Sequence, residues 1–159
     1  MGNISRFLQF LALGMWLGGI VFLSFVEAPG VFSILASREQ AGSIVGYSLT
    51  RLHYIGIAAA IIYFISAVAL AKSAKVLVQP AAILVGLMLA LTLVSEFGVR
   101  PRMNVLRPQM DSLDSAATAI GPNPARAEFD RLHRVSVQLE GATLLLGVAA
   151  LFFGARRAL

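Results

Sequence analysis

The chain has 159 residues, 58% hydrophobic and 13% charged, with a formal net charge of +5 and a mean hydropathy of +0.81. That composition excludes an ordinary soluble domain of this size, which could not bury so much apolar surface, and points to an integral membrane protein. No basic run is interleaved with aromatics, so the charge reads as membrane anchoring and not as a nucleic-acid surface; the lack of cysteine excludes disulfides, Cys-based zinc sites, iron–sulfur clusters and thiol catalysis.

Crossing a hydrocarbon core of about 30 Å takes about 20 apolar residues, and four stretches qualify. They are residues 4–26, 52–71, 76–99 and 135–153. The first is too long for a signal-peptide core and has no small-x-small cleavage site, so it is expected to remain attached. Next comes "SREQ" at Ser37 to Gln40, a capping-box pattern followed by Ala41, Ile44, Val45, Ser48, Leu49 and Leu52 at helical spacing. A second helix is therefore predicted from near Arg38, well before its apolar span. The third span runs into Pro101 and Pro108, which are expected to kink or interrupt it. "GPNPAR" then supplies a helix stop at Gly121 and a new start, with Asn123 as N-cap and Pro124 at the first helical position, for a fourth helix of about 124–154.

The fold predicted is an all-α, up-down-up-down, four-helix transmembrane bundle forming one domain over 1–159, with helices extended beyond the membrane on one side. Both termini and the "KSAK" turn share a side, with Arg6, Lys72, Lys75, Arg156 and Arg157 and no acids. We call this side A; the acidic residues fall on the opposite side B or in the helix ends facing it. Side B holds eight of the 13 Lys and Arg residues against five on side A, but those of side A flank the spans directly without acidic partners, so side A and both termini are expected in the cytoplasm, with the protein in the plasma (inner) membrane.

Two stretches spell the same triplet: Arg51-Leu52-His53 in the second helix and Arg131-Leu132-His133 in the fourth. These carry the only histidines, and because the two helices run in the same direction, both imidazoles fall near the side B mouth. They are either interfacial anchors or a pair that brackets a metal ion or haem. Glu140 shares a helix face with His133, seven residues on, and lies inside an apolar run, where an ionisable group is costly unless it faces the interior with a partner. Its expected partners are His53, Arg51 and Arg100, in that order. Thr92, Glu96 and Arg100 share a face of the third helix, and Glu27 ends the first.

The candidate ligand set is thus His53, His133, Glu140 and Glu96 for a transition metal, with Arg51, Arg100 and Ser136 supporting a metal or haem. The competing reading is a ligand-free scaffold or oligomeric transporter in which Glu27, Glu96 and Glu140 lock against Arg51, Arg100 or Arg131. No phosphate loop, Gly-x-Ser-x-Gly elbow or Glu-x-x-His pair asks for enzyme chemistry. Trp16, Gly18 and Gly19 are expected to pack against another helix, in the chain or across a homo-oligomer in the bilayer.

The strings "LGMWLGGIVFLSFVEAPGVF", "SREQAG" and "FDRLHRVSVQLE" resemble the transmembrane protein 205-like family, a domain of unknown function, over nearly the whole chain. The layout is distantly similar to copper-resistance D-like proteins and to membrane protoporphyrinogen oxidases. That resemblance implies helix histidines serving copper or haem, although here they lie near helix mouths and no lysine stands in helix 2 or 4.

Overall fold

A computed structural model describes residues 2–116 and 124–156, with 110–116 as backbone. The described residues form four long rods and no strand. The first joins α1 (Gly2–Phe22) to α2 (Ala28–Ile34) through a π turn at Leu23–Glu27. The second is α3 (Arg38–Ala71), and the third joins α4 (Pro80–Leu93) to α5 (Arg100–Ala116) through a π turn at Val94–Val99. The fourth is α6 (Pro124–Ala155). Four candidate spans of 33, 34, 30 and 32 residues result. At 1.5 Å per residue they measure roughly 45–51 Å, well beyond the roughly 30 Å of the hydrocarbon core.

The start of α3 follows its cap: Ser37 is extended, and its side chain accepts from the Gln40 amide at 3.3 Å. The α3 C-terminus ends with Lys72 in the left-handed region, φ 51°. A short 3₁₀ turn at Ala74–Val78 then leads to Pro80, which opens α4. The third span therefore starts later than residue 76. The break and restart expected at Gly121 and Asn123 lie outside the described residues, but α6 does begin at Pro124.

The segments around Pro29 and Pro101 add detail to the sequence reading. Residues 28–34, between the first predicted span and the cap at Ser37, are helical, and only 35–37 separate the first two rods. Pro101 and Pro108 do not interrupt the third rod, which continues to Ala116. One physical device explains Pro29 and Pro101. A proline within a helix lacks the N–H for the i→i−4 bond, and its ring crowds the carbonyl four residues back. Here the turn just before each proline widens: Ala28 N–H bonds Leu23 O, and Arg100 N–H bonds Ser95 O, both five residues back. The extra residue relieves the crowding, and the rod continues.

The main core sits between the rods around Leu13, Trp16, Leu17, Ile20, Val85 and Met88. Trp16 is 1% exposed, and its indole lies where a Cβ on Gly56 would stand; Leu17 and Met88 likewise press on Gly147. Glycine is needed at both positions because backbone and large side chain meet with no room for a methyl group. Gly19 packs against Leu52, whereas Gly18 is exposed with open space around it. A satellite core of Val99, Leu106, Ala125 and Leu132, flanked by Met103 and Phe129, joins α5 to α6.

Gly56→Leu should overpack against Trp16 and cost at least about 1–3 kcal/mol. A lowered melting temperature in mild detergent and red-shifted emission from this single tryptophan would report it, whereas Gly18→Leu should change neither.

Candidate functional site

Three rods converge on His53. The imidazole is 1% exposed, with Nδ1 2.7 Å from Glu96 Oε2 and Nε2 2.6 Å from Glu140 Oε1. The same Glu96 Oε2 accepts from Arg100 Nη1 at 3.1 Å, and Oε1 accepts more weakly at 3.3 Å. The resulting chain is Arg100, Glu96, His53, Glu140, with Glu96 9%, Glu140 13% and Arg100 17% exposed.

Each member reaches the centre for a local reason. His53 lies about four turns into α3 beyond Arg38, on the face that also buries Leu52, Gly56 and Ala60. Glu96 is carried on the π turn before Pro101, whose wider turn leaves Arg100 within reach on the same rod. Glu140 comes from α6 on the stripe that buries Ser136, Thr143 and Gly147. Thr143 spends its hydroxyl on Leu139 O at 2.8 Å, while Ser95 Oγ, adjacent to Glu96, is buried without a partner among the described residues.

Proton counting constrains the chemistry. Contacts of 2.6 and 2.7 Å between ring nitrogens and carboxylate oxygens each need a hydrogen between them. Either the ring is imidazolium between two carboxylates, or it is neutral and one carboxyl group donates. With Arg100 charged, both arrangements hold the same number of protons and sum to zero charge. The proton can therefore shift from Glu140 to the ring, and from the ring to Glu96, without placing a net charge in the core. A neutral cluster is what burial permits, because an unpaired buried ion costs several kcal/mol.

The other sequence candidates fall elsewhere. His133 is exposed and stacks on Phe129 at 6.5 Å, so the two triplets do not share a site. Arg51 is exposed and lies over the Tyr47 ring at 5.0 Å. Ser136 is buried one turn before Glu140 and makes no polar contact with it. Glu27 and Arg131 form no ion pair with any described residue. Both nitrogens of His53 face carboxylates on opposite edges of the ring, and no three His, Asp or Glu side chains among the described residues form a group able to hold a metal ion.

Sequence reasoning missed Ser95 and Arg107. Arg107 donates from Nη2 to Gly42 O at 2.9 Å and sits over the Phe129 ring at 5.8 Å. The spacing of Arg100, Asn104 and Arg107 at i, i+4 and i+7 was the available signal.

The fold and site define a four-span, all-helical membrane protein with a neutral ionic cluster buried between its second, third and fourth spans. The chain belongs to the DUF4149 family, a domain of unknown function, which matches residues 11–112. That match includes His53, Glu96 and Arg100 and stops before Glu140. No curated protein and no solved structure matches the chain.

Replacing His53 by Ala strands two carboxylates against one arginine and should cost about 3–5 kcal/mol in chemical unfolding from detergent. His133→Ala should stay within about 0.5 kcal/mol of the wild type. The double replacement His53→Leu with Glu140→Leu leaves the neutral Glu96–Arg100 pair and should be less damaging than His53→Ala alone.

Proposed function

We propose that this protein is a proton-responsive membrane subunit whose second, third and fourth spans are locked together by one shared proton. The observation that carries this reading is that both nitrogens of His53 are held by carboxylates from two other rods, with Arg100 completing the charge balance. Gain of a proton leaves the cluster at +1, and loss of the shared proton leaves it at −1. Either state puts an unbalanced charge in the core and loosens the three rods. Stability should thus pass through a maximum and fall on both the acid and the alkaline side. Melting temperature across pH tests this: wild type should give a bell, Glu140→Gln should lose the alkaline limb and keep the acid one, and a wild-type profile without a maximum would sink the reading.

Metal binding is the second reading, favoured by the ligand types alone, since an imidazole flanked by two carboxylates suits zinc, iron or copper. A metal would have to displace the shared proton and turn a carboxylate to the same ring edge as its partner. Haem with two axial imidazoles would need His133, which lies outside the cluster. Stoichiometric metal, or a Soret band, in protein purified in mild detergent would replace the proton lock with a cofactor site.

For topology, we place both termini and the 72–79 turn in the cytoplasm, with the protein in the plasma (inner) membrane. The absence of cysteine makes this directly testable. In intact cells an impermeant thiol reagent should label Gln40→Cys and spare Ser73→Cys; the reverse pattern inverts the orientation.

A further inference from the structure

Beside the buried cluster, α3 and α5 enclose a second feature that shares only Arg100 with the proton lock. A cavity of about 380 Å³ opens between them, lined by Arg51, Arg100 and Arg107 together with Tyr47, Tyr54 and Asn104. No acidic side chain lines it. Both walls are regular: 47, 51 and 54 recur at i, i+4 and i+7 on α3, as do 100, 104 and 107 on α5, so two helices present one polar stripe each to the same space.

The three guanidinium groups are only partly satisfied by the protein. Glu96 takes Nη1 of Arg100 alone. Arg51 has only the Tyr47 ring among the described residues. Arg107 uses Nη2 on the Gly42 carbonyl, and its Nε is buried without a hydrogen-bond partner among the described residues. A buried guanidinium N–H left unpaired is costly, and planar N–H forks match phosphate oxygens in pairs. The height of the cavity adds to this. Arg51 and Arg100 stand one residue outside the apolar runs 52–71 and 76–99, where the bilayer gives way to headgroups, and Tyr47 and Tyr54 are 62% and 50% exposed there, as aromatic belts are.

We propose that this cavity binds a phosphate-class anion, with Arg51, Arg100 and Arg107 as its donors. Its place at the membrane boundary favours the phosphodiester headgroup of an anionic phospholipid over free phosphate. The cavity is larger than a phosphate group alone requires and leaves space for a glycerol headgroup beside the tyrosines and Asn104. Because Arg100 belongs to both features, an anion there draws on donors that Glu96 leaves free and need not break the ion pair.

The test uses the full chain in nanodiscs of phosphatidylcholine, with or without phosphatidylglycerol, and in phosphatidylcholine with inorganic phosphate. Phosphatidylglycerol should raise the melting temperature and remain bound in native mass spectra. Arg51→Gln and Arg107→Gln should each weaken that retention about tenfold, the factor expected for one charge-assisted hydrogen bond. Arg102→Gln, outside the cavity, should not. Arg107 also supports the fold through Gly42, so the difference between lipids is compared within each variant, and Arg51, which holds no backbone contact, gives the independent reading. Equal stabilisation by inorganic phosphate would support the anion site and assign it to a soluble ligand. Stabilisation by neither anion, or phosphatidylglycerol retention undiminished in the Arg51→Gln, Arg107→Gln double variant, would overturn the proposal.

Discussion

A buried imidazole between two carboxylates is the constraint on which the arrangement of this bundle turns. Inside a low-dielectric core the cost of a lone charge is several kcal/mol, so Glu96 and Glu140 can occupy the interior only together with His53 and Arg100. That requirement ties α3, the third rod and α6 at one level and fixes their rotation, since a helix turned by one residue would carry its charged group towards lipid. Apolar packing between helices is weakly directional in a bilayer, where lipid tails are as apolar as leucine. The ionic cluster supplies direction that leucine and valine do not.

Proline serves this geometry. Both the first and third rods carry a π turn immediately before an x-Pro pair, at Glu27-Ala28-Pro29 and Val99-Arg100-Pro101. The second copy carries Glu96, so the residue inserted by the wide turn also sets where that carboxylate stands relative to the helix above it. The two hairpins share a further mark, an Arg-Leu-His triplet early in their second helix, and in both copies the leucine is buried. Their histidines diverge: His53 faces a carboxylate on each side, whereas His133 stacks on Phe129 at the surface. A repeated local sequence thus gives a repeated framework without a repeated site, because the site depends on what the neighbouring rods contribute.

The cluster and the arginine cavity meet at Arg100. On one side its Nη1 closes the charge balance of the core. On the other the same side chain lines a space shared with Arg51 and Arg107. A single guanidinium therefore belongs both to the buried cluster and to the lining of the cavity.

Composition and local pattern were enough to determine the four spans, the cap at Ser37, the start at Pro124 and the inward position of Glu140, since hydropathy, capping and the cost of a membrane-embedded carboxylate are properties of short stretches. The same patterns marked a departure at Pro101 without fixing its form, because a proline breaks a helix or widens one turn depending on whether the surrounding rod is held in place. That Glu140 would pair with His53 followed from its place in an apolar run, but that His133 would turn outward onto Phe129 could not be read locally. Tertiary structure decided that, along with the pairing of Trp16 with Gly56 and of Arg107 with Gly42, because each depends on the rotation and depth of one rod against another, and those are set only when all the buried charges and large side chains are satisfied at once.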